Sequence, residues 1–436
     1  MTAPVYSSST MDICGVPSRR TFLAGAGAAL SANLFPAAVR AQPAPLLSLK
    51  RGGSIHSLLN WPELEPGSKD KFVWPPFASP KYQISPRLLS TFKQAGLDFI
   101  RLTVDPGIFL ASEKTRRDEL DAILLNRCHL ILAAGLNVIV DFHPISQVAA
   151  WTPVRIVTEP NVFEAYTALM GRTASVLAAL DPAHVALEFM NEPPYGYDAS
   201  STERWRRMLQ AMYKAARAAN PRLALVLGGA AGGGSRGLFE IDARQFADPN
   251  IFWSFHFYDP HPFTHQGVVT SQSNMLHYRY LTDLPYPVDA GEIDSTLLSV
   301  RQAILADKSL PIMQRVAVES AAADAVKKYF ASKFGVRDIA AEFDKVELWA
   351  KANNVDPAKI LLGEFGTARR SVHGNGALNR HRETWLRDVR LQAEKRKFAW
   401  AIWDMDDNQM GLVTQRGSGL LDTSLLRALG LNESAG

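Results

Sequence analysis

The chain has 436 residues, 47% of them hydrophobic and 21% charged, with a net charge of +4. That balance suits a folded globular protein and excludes an intrinsically disordered one. The charge is mild and no long Lys/Arg block occurs, so nothing points to nucleic acid. After residue 45 no apolar run nears the ~20 residues of a membrane span.

Ser18-Arg19-Arg20-Thr21-Phe22-Leu23 resembles a twin-arginine export signal, and the apolar, Ala-rich stretch Ala24–Leu34 follows it. Val39-Arg40-Ala41 places small residues where a signal peptidase reads. Residues 1–41 are therefore expected to be a removable signal peptide, with the Tat export machinery as a partner and a periplasmic or extracellular destination. Cys14 would leave with it, so Cys128 alone would remain and no internal disulfide could form. Residues 42–50 read as a linker, and residues 51–436 as one catalytic domain.

Short apolar, β-prone runs then alternate with helical patterns, as in βαβ units. The expected strands are Gly53–His56, Phe99–Val104, Asn137–Phe142, Val185–Met190, Ala224–Gly228, Ile251–Phe257, Ile360–Leu362 and Phe398–Trp403. Helices are expected at Pro86–Ala95, Arg117–Ala134, Val162–Ala179, Ser201–Ala219, Arg337–Asn353 and His381–Lys395. This order predicts an α/β fold, a closed (β/α)8 TIM barrel. Residues 261–335 break the repeat. They read as an enlarged loop or helical insertion after strand six, with helices at Ile293–Ala306 and Ala317–Phe334.

Two glutamates carry the chemistry. Glu192 follows the run VALEFM, and Glu364 follows ILL. The two-carboxylate route to glycosidic cleavage needs one group to protonate the leaving oxygen and a second across the anomeric carbon. A barrel supplies such pairs from the C-terminal ends of different strands. Glu188 and Asp141 lie deeper along their strands by alternation and read as buried partners of the residues above them.

Other polar residues also end strands: Arg101 in FIRLTV, His143 after NVIVDF, Asn191 beside Glu192, His256 and Tyr258 in SFHFY, and Trp403 in AIWD. In that order, from about residue 51 to 410, the set resembles glycoside hydrolase family 5, the cellulase family. The resemblance implies Glu192 as general acid/base and Glu364 as the nucleophile of a retaining mechanism. It implies Asn191 on the 2-hydroxyl of the reacting sugar, and Arg101 and Tyr258 on Glu364. His143 and His256 would line the subsite, and Trp403 would be its stacking floor. The substrate implied is a β-linked oligo- or polysaccharide, foremost β-1,4-glucan cut internally. Mannan, another β-glucan, a bacterial exopolysaccharide and a glycolipid glycan stay open, as does an inactive carbohydrate-binding barrel. No cofactor is expected.

His56 and the loop aromatics Trp61, Trp74, Trp151 and Tyr195 are candidates for outer subsites, since flat rings suit the apolar faces of sugars. Two motifs are set aside. Gly232–Gly237 fits G-x-G-x-x-G, but no helix is expected at its third glycine and no acid ends a strand ~20 residues on. His256, His261 and His265 sit among prolines without metal-binding spacing, so no metal is expected.

Overall fold

The computed structural model describes residues 46–194, 198–269, 273–370, 374–407 and 409–435. The expected signal segment, residues 42–45 of the expected linker and Tyr195 lie outside the described residues. Eight parallel strands close into a barrel in chain order. They are β1 (Arg51–Leu59), β2 (Phe99–Val104), β3 (Asn137–Phe142), β4 (Val185–Glu188), β5 (Ala224–Gly228), β6 (Ile251–His256), β7 (Ile360–Phe365) and β8 (Ala399–Ile402). The expected helices form, most of them starting two or three residues earlier than the apolar pattern indicates. Polar or Pro-led first turns cause this: Lys114–Ala133 opens on Lys-Thr-Arg, and Pro160–Val176 opens on proline at the first helical position.

Alternation sorts each strand. On β2, Ile100, Leu102 and Val104 join the outer core beneath the helices, while Phe99 points into the barrel. Inward residues Phe99, Ile139, Ala186, Phe252, Leu361 and Ala399 form the apolar filling. Leu47 and Leu49 belong to the same cluster, at 2% and 4% exposure. Within the stretch read as a linker, Leu47 and Leu49 thus pack into the base of the barrel while Leu46, Ser48 and Lys50 are exposed. Trp400 donates its backbone N–H to Lys50, and Lys359 Nζ donates to the Leu47 carbonyl.

β7 departs from the pattern in a way that matters. The expected strand stops at Leu362, but the observed one runs to Phe365 and slips register on the way. Phe255 pairs with Leu362 and His256 pairs with Glu364, leaving Gly363 as the extra residue of a bulge. Simple alternation from inward Leu361 would aim Glu364 outward; the bulge turns it in. Glycine suits that position, since a Cβ on Gly363 would press on Ser254 Oγ and stand 3.1 Å from His256 Nε2. β4 ends sooner than expected, at Glu188, and four residues on Glu192 takes a left-handed φ of 42°.

The insertion after β6 is helical, as expected. It holds His261–Thr264, the 3-10 helix Ser273–Tyr280, Ile293–Ala306 and Ile312–Ser332. The last begins five residues earlier than the pattern indicated, directly after Pro311. Cys128 is buried in the helix Lys114–Ala133, where burial raises its thiol pKa to about 12.

Candidate active site

Two residues along β2, β3 and β4 from the apolar filling, the barrel interior turns polar, at Arg101, Asp141 and Glu188. Arg101, wholly buried, is the hub. Its Nε and Nη2 donate to the two carboxylate oxygens of Glu188 at 2.7 and 3.0 Å. Nη1 donates to Glu364 Oε1 at 2.7 Å, and Nη2 also reaches Asn191 Oδ1 at 2.9 Å. Asp141 Oδ2 lies 3.0 Å from Nη2. Burial alone would lower the Arg101 pKa, but Asp141, Glu188 and Glu364 outweigh it and hold the pKa well above the usual range. A fixed guanidinium beside one oxygen of Glu364 orients that carboxylate through a charge-assisted hydrogen bond.

Tyr258 donates its hydroxyl to the other oxygen of Glu364 at 3.0 Å. Burial first, and then the Glu364 charge, push the phenol pKa well up, so it remains a donor. Glu364 is thus gripped at both oxygens. Glu192 sits across from it, and its side chain is 40% exposed. His256 Nδ1 lies 3.0 Å from Glu192 Oε1 and 3.6 Å from Glu364 Oε2. One ligand-type atom from each of Glu192, His256 and Glu364 falls within 4.8 Å of the others. The same atoms could in principle hold a cation. Their hydrogen bonds to one another, to Arg101 and to Tyr258 already account for them.

His143 shows its tautomer through its partners. Asn191 Oδ1 accepts from Arg101, so Asn191 Nδ2 is the atom facing His143 Nε2 at 3.1 Å. Nε2 must accept, and Nδ1 carries the proton toward Asp141 Oδ2 at 2.9 Å. Burial lowers the His143 pKa to about 3, which keeps the ring neutral. Burial likewise raises the Asp141 carboxyl to about 7, against the pull of Arg101. Trp403 stacks on His143, with centroids 5.4 Å apart and planes 18° off parallel. His56 stands beside both rings, at 5.0 Å from His143 and 5.1 Å from Trp403.

All eight central candidates therefore meet: Arg101, His143, Asn191, Glu192, His256, Tyr258, Glu364 and Trp403. The outer candidates divide. Trp61, 49% exposed, donates its indole N–H to His56 Nε2 at 3.0 Å. Both line a cavity of about 350 Å³ with Asn60, Lys81, Asp404 and Arg416. Trp74 is placed elsewhere. It donates to Glu119 at 2.7 Å, under the Arg116 guanidinium, on the helix Lys114–Ala133. Trp151 is half-buried and packs against the outer core beside Gly107.

Sequence reading passed over three contributors. Gly233, dismissed with its glycine-rich neighbours, has φ 72° and accepts from the His256 backbone at 2.9 Å. A Cβ there would stand 3.3 Å from Glu192 Cγ and 3.4 Å from His256 Nδ1. The loop is a cradle for the acid/base candidate, and a short helix, Ser235–Phe239, does open after it, contrary to expectation. The three adjacent glycines were the available signal. Asp404 is buried and accepts backbone N–H groups from His56 at 2.9 Å and Asp406 at 2.6 Å, tying the end of β8 to β1. Asn60 donates to the His143 carbonyl at 3.2 Å. The sequence marks neither of these last two.

The family pattern described as cellulase, glycosyl hydrolase family 5, matches residues 67–409. Endoglucanase 3 of Fibrobacter succinogenes is 23% identical over 275 residues, which is 63% of this chain and 37% of that protein. Endoglucanase C of Acetivibrio thermocellus is 26% identical over 203 residues, 45% of this chain and 56% of that protein. The match thus spans well under two thirds of either relative. Among solved structures, the cellulose synthase subunit Z of Clostridioides difficile superposes with a TM-score of 0.61 at 22% identity, covering 87% of this chain and 99% of its own. Cel5A of Thermotoga maritima, solved with cellobiose, gives 0.61 at 19% identity, covering 87% and 97%. At these identities the structural likeness establishes the shared fold. The family pattern spans most of the chain and contains every one of the eight central residues, and so this chain belongs to the cellulase family, glycosyl hydrolase family 5.

Proposed function

We propose that the protein is a retaining β-glycosidase that cuts a β-1,4-linked polysaccharide, foremost a glucan, at internal bonds. One observation carries the reading: an oxygen of Glu192 and an oxygen of Glu364 stand within 4.8 Å, with His256 between them. Retaining enzymes hold their carboxyl groups ~5–5.5 Å apart, whereas inverting ones leave ~6.5–9.5 Å for a water molecule. In the first step Glu364 attacks the anomeric carbon while Glu192 gives its proton to the departing oxygen. The C–O bond to the leaving sugar breaks and a glycosyl ester on Glu364 forms. Glu192 then takes a proton from water, whose oxygen attacks the same carbon and frees Glu364. Asn191, held by Arg101 and His143, would hydrogen-bond the 2-hydroxyl.

The neighbours support a β-1,4-linked backbone. Cel5A of Thermotoga maritima was solved with cellobiose and also with mannotriose. Mannan is therefore the second reading for the same chemistry. Ser18–Leu23 and the apolar run after it support export through the twin-arginine route. Replacing Arg19 and Arg20 by lysine should trap the full-length precursor inside the cell.

The first test is release of reducing ends from carboxymethyl-cellulose, mixed-linkage glucan, glucomannan and galactomannan, beside Glu192→Gln. Proton NMR of the first product should show the β-anomer ahead of the α-anomer. Silence on all four polymers, or the α-anomer first, overturns the proposal.

A further inference from the structure

The insertion after β6 begins at the active site. His261 and His265 stack face to face, with centroids 3.7 Å apart and planes 9° off parallel. His265 meets Tyr258 edge-on at 5.1 Å, and Tyr258 is the hydroxyl that grips Glu364. Thr264 Oγ1 donates to the Tyr258 carbonyl at 2.7 Å and lies 2.9 Å from His265 Nδ1. Tyr278, on the 3-10 helix Ser273–Tyr280, brings its hydroxyl to 3.1 Å from His261 Nδ1. The backbone around Tyr278 is pinned from two sides. Its carbonyl accepts from Gly267 at 2.9 Å, and Asn375 donates to the Arg279 carbonyl at 3.0 Å. His261, His265 and Tyr278 are all half-buried.

Position assigns these rings a side. Trp403, His56 and His143 occupy the arc of β8, β1 and β3. His261 and Tyr278 belong to the arc of β6, the strand whose His256 lies 3.0 Å from Glu192 Oε1. The residue that protonates the glycosidic oxygen must stand beside the leaving sugar. Rings grouped with Glu192, and away from the Trp403 floor, therefore meet the leaving group. Burial lowers the pKa of both imidazoles, that of His265 to about 3, so the stack is uncharged at neutral pH. An uncharged flat face with a phenol hydroxyl at its edge matches a sugar, with apolar C–H groups on its face and hydroxyls around its rim.

We infer that His261 and Tyr278 form the subsite for the leaving sugar, so that the insertion after β6 selects what lies on the reducing-end side of the cleaved bond. This rests on the glycosidase reading above. The test compares two substrates that share a glycone: cellotetraose, cut in the middle, and 4-nitrophenyl β-cellobioside, whose leaving group is not a sugar. A manno-configured pair replaces them if mannan is the polymer cleaved. The quantity read is the ratio of kcat/KM for the oligosaccharide to kcat/KM for the aryl glycoside. Tyr278→Ala should lower that ratio about tenfold, and Tyr278→Phe, which keeps the ring packed, should lower it less. A wild-type ratio in both variants overturns the inference. Glu364→Gln, which should stop both substrates, tests the underlying reading separately. A wild-type protein that turns over neither substrate overturns that reading and this inference together.

Discussion

The lower and upper halves of the barrel interior use the same inward positions of the same strands with opposite chemistry. Below lie Phe99, Ile139 and Ala186; two residues further along each strand lie Arg101, Asp141 and Glu188. The lower half is held by contacts that are individually weak and interchangeable. The upper half is a lattice of ion pairs and hydrogen bonds in which each member is fixed by at least one other. Buried charge is costly, and it is retained here where it fixes two carboxylates and an amide for chemistry. Packing below supplies stability, and the lattice above converts that rigidity into the fixed geometry that the proposed mechanism uses.

The sharpest way to break this division is to remove one charge without changing shape. Glu364→Gln keeps the side chain's volume and its place between Arg101 and Tyr258 but removes the proposed nucleophile. Turnover should fall more than about 10⁴-fold, measured with an aryl glycoside. Removing the hub should damage both halves. Arg101→Met strands Glu188, Asp141 and Glu364 without their cation and should cost ~3–5 kcal/mol of stability by urea unfolding. It should also lower kcat by about a hundredfold or more, since the proposed nucleophile Glu364 loses its orienting charge, on the order of other electrostatic deletions. Ile139→Val, on the apolar side of the same boundary, should cost ~1 kcal/mol and leave kcat near wild type. If Ile139→Val reduced kcat as much as Arg101→Met does, the two halves would not be separable.

Most of the site was legible because strand ends are legible. Short apolar runs located the strands, and the polar residue closing each run located the site. Asp141 and Glu188 were readable as buried partners through alternation alone. Reading failed where the backbone left the regular pattern. The strand expected to stop at Leu362 runs on to Phe365, because Gly363 makes a bulge that keeps Glu364 in the strand and turned inward, and one strand's sequence does not display its neighbour's register. Trp74 carries the residue type of a sugar platform, yet Glu119 and Arg116 on a helix claim it through contacts distant in sequence. Leu47 and Leu49 lie in a proline- and alanine-rich stretch, and only barrel closure gives them something to bury against.

Gly233 offers a smaller perturbation at the seam between loop and lattice. Gly233→Ala adds one methyl group at φ 72°, against Glu192 Cγ and His256 Nδ1. The left-handed backbone alone costs an L-residue ~1–2 kcal/mol. Contacts at 3.3 and 3.4 Å require Glu192 or His256 to give way by a few tenths of an ångström. A fall of about tenfold in kcat is expected, in keeping with the sensitivity of aligned catalytic groups to small displacements. Gly232→Ala, also at φ 72° but with open space around its Cβ, is the control: it should cost similar stability and leave kcat largely unchanged.

The finest test separates the histidines by charge. His143 and His56 are pushed down to about 3, chiefly by burial. Burial acts on His256 in the same direction, but the carboxylates of Glu364 and Glu192 reverse it and the net shift is upward. NMR titration should therefore find His256 protonating above pH 6.5 while the other two stay neutral down to about pH 4. The stability sign follows from linkage. A histidine with a raised folded-state pKa stabilises the fold fully below its unfolded value near 6.5, and that contribution fades as pH rises through the folded pKa. The loss of stability caused by His256→Asn should accordingly be larger at pH 5.5 than at pH 9 in urea unfolding. Replacing Glu192 by Gln in the same background should shrink the difference, because the carboxylate nearest Nδ1 would no longer carry charge. An equal effect of His256→Asn at both pH values would mean that the imidazole acts on Glu192 as a neutral hydrogen-bond partner alone.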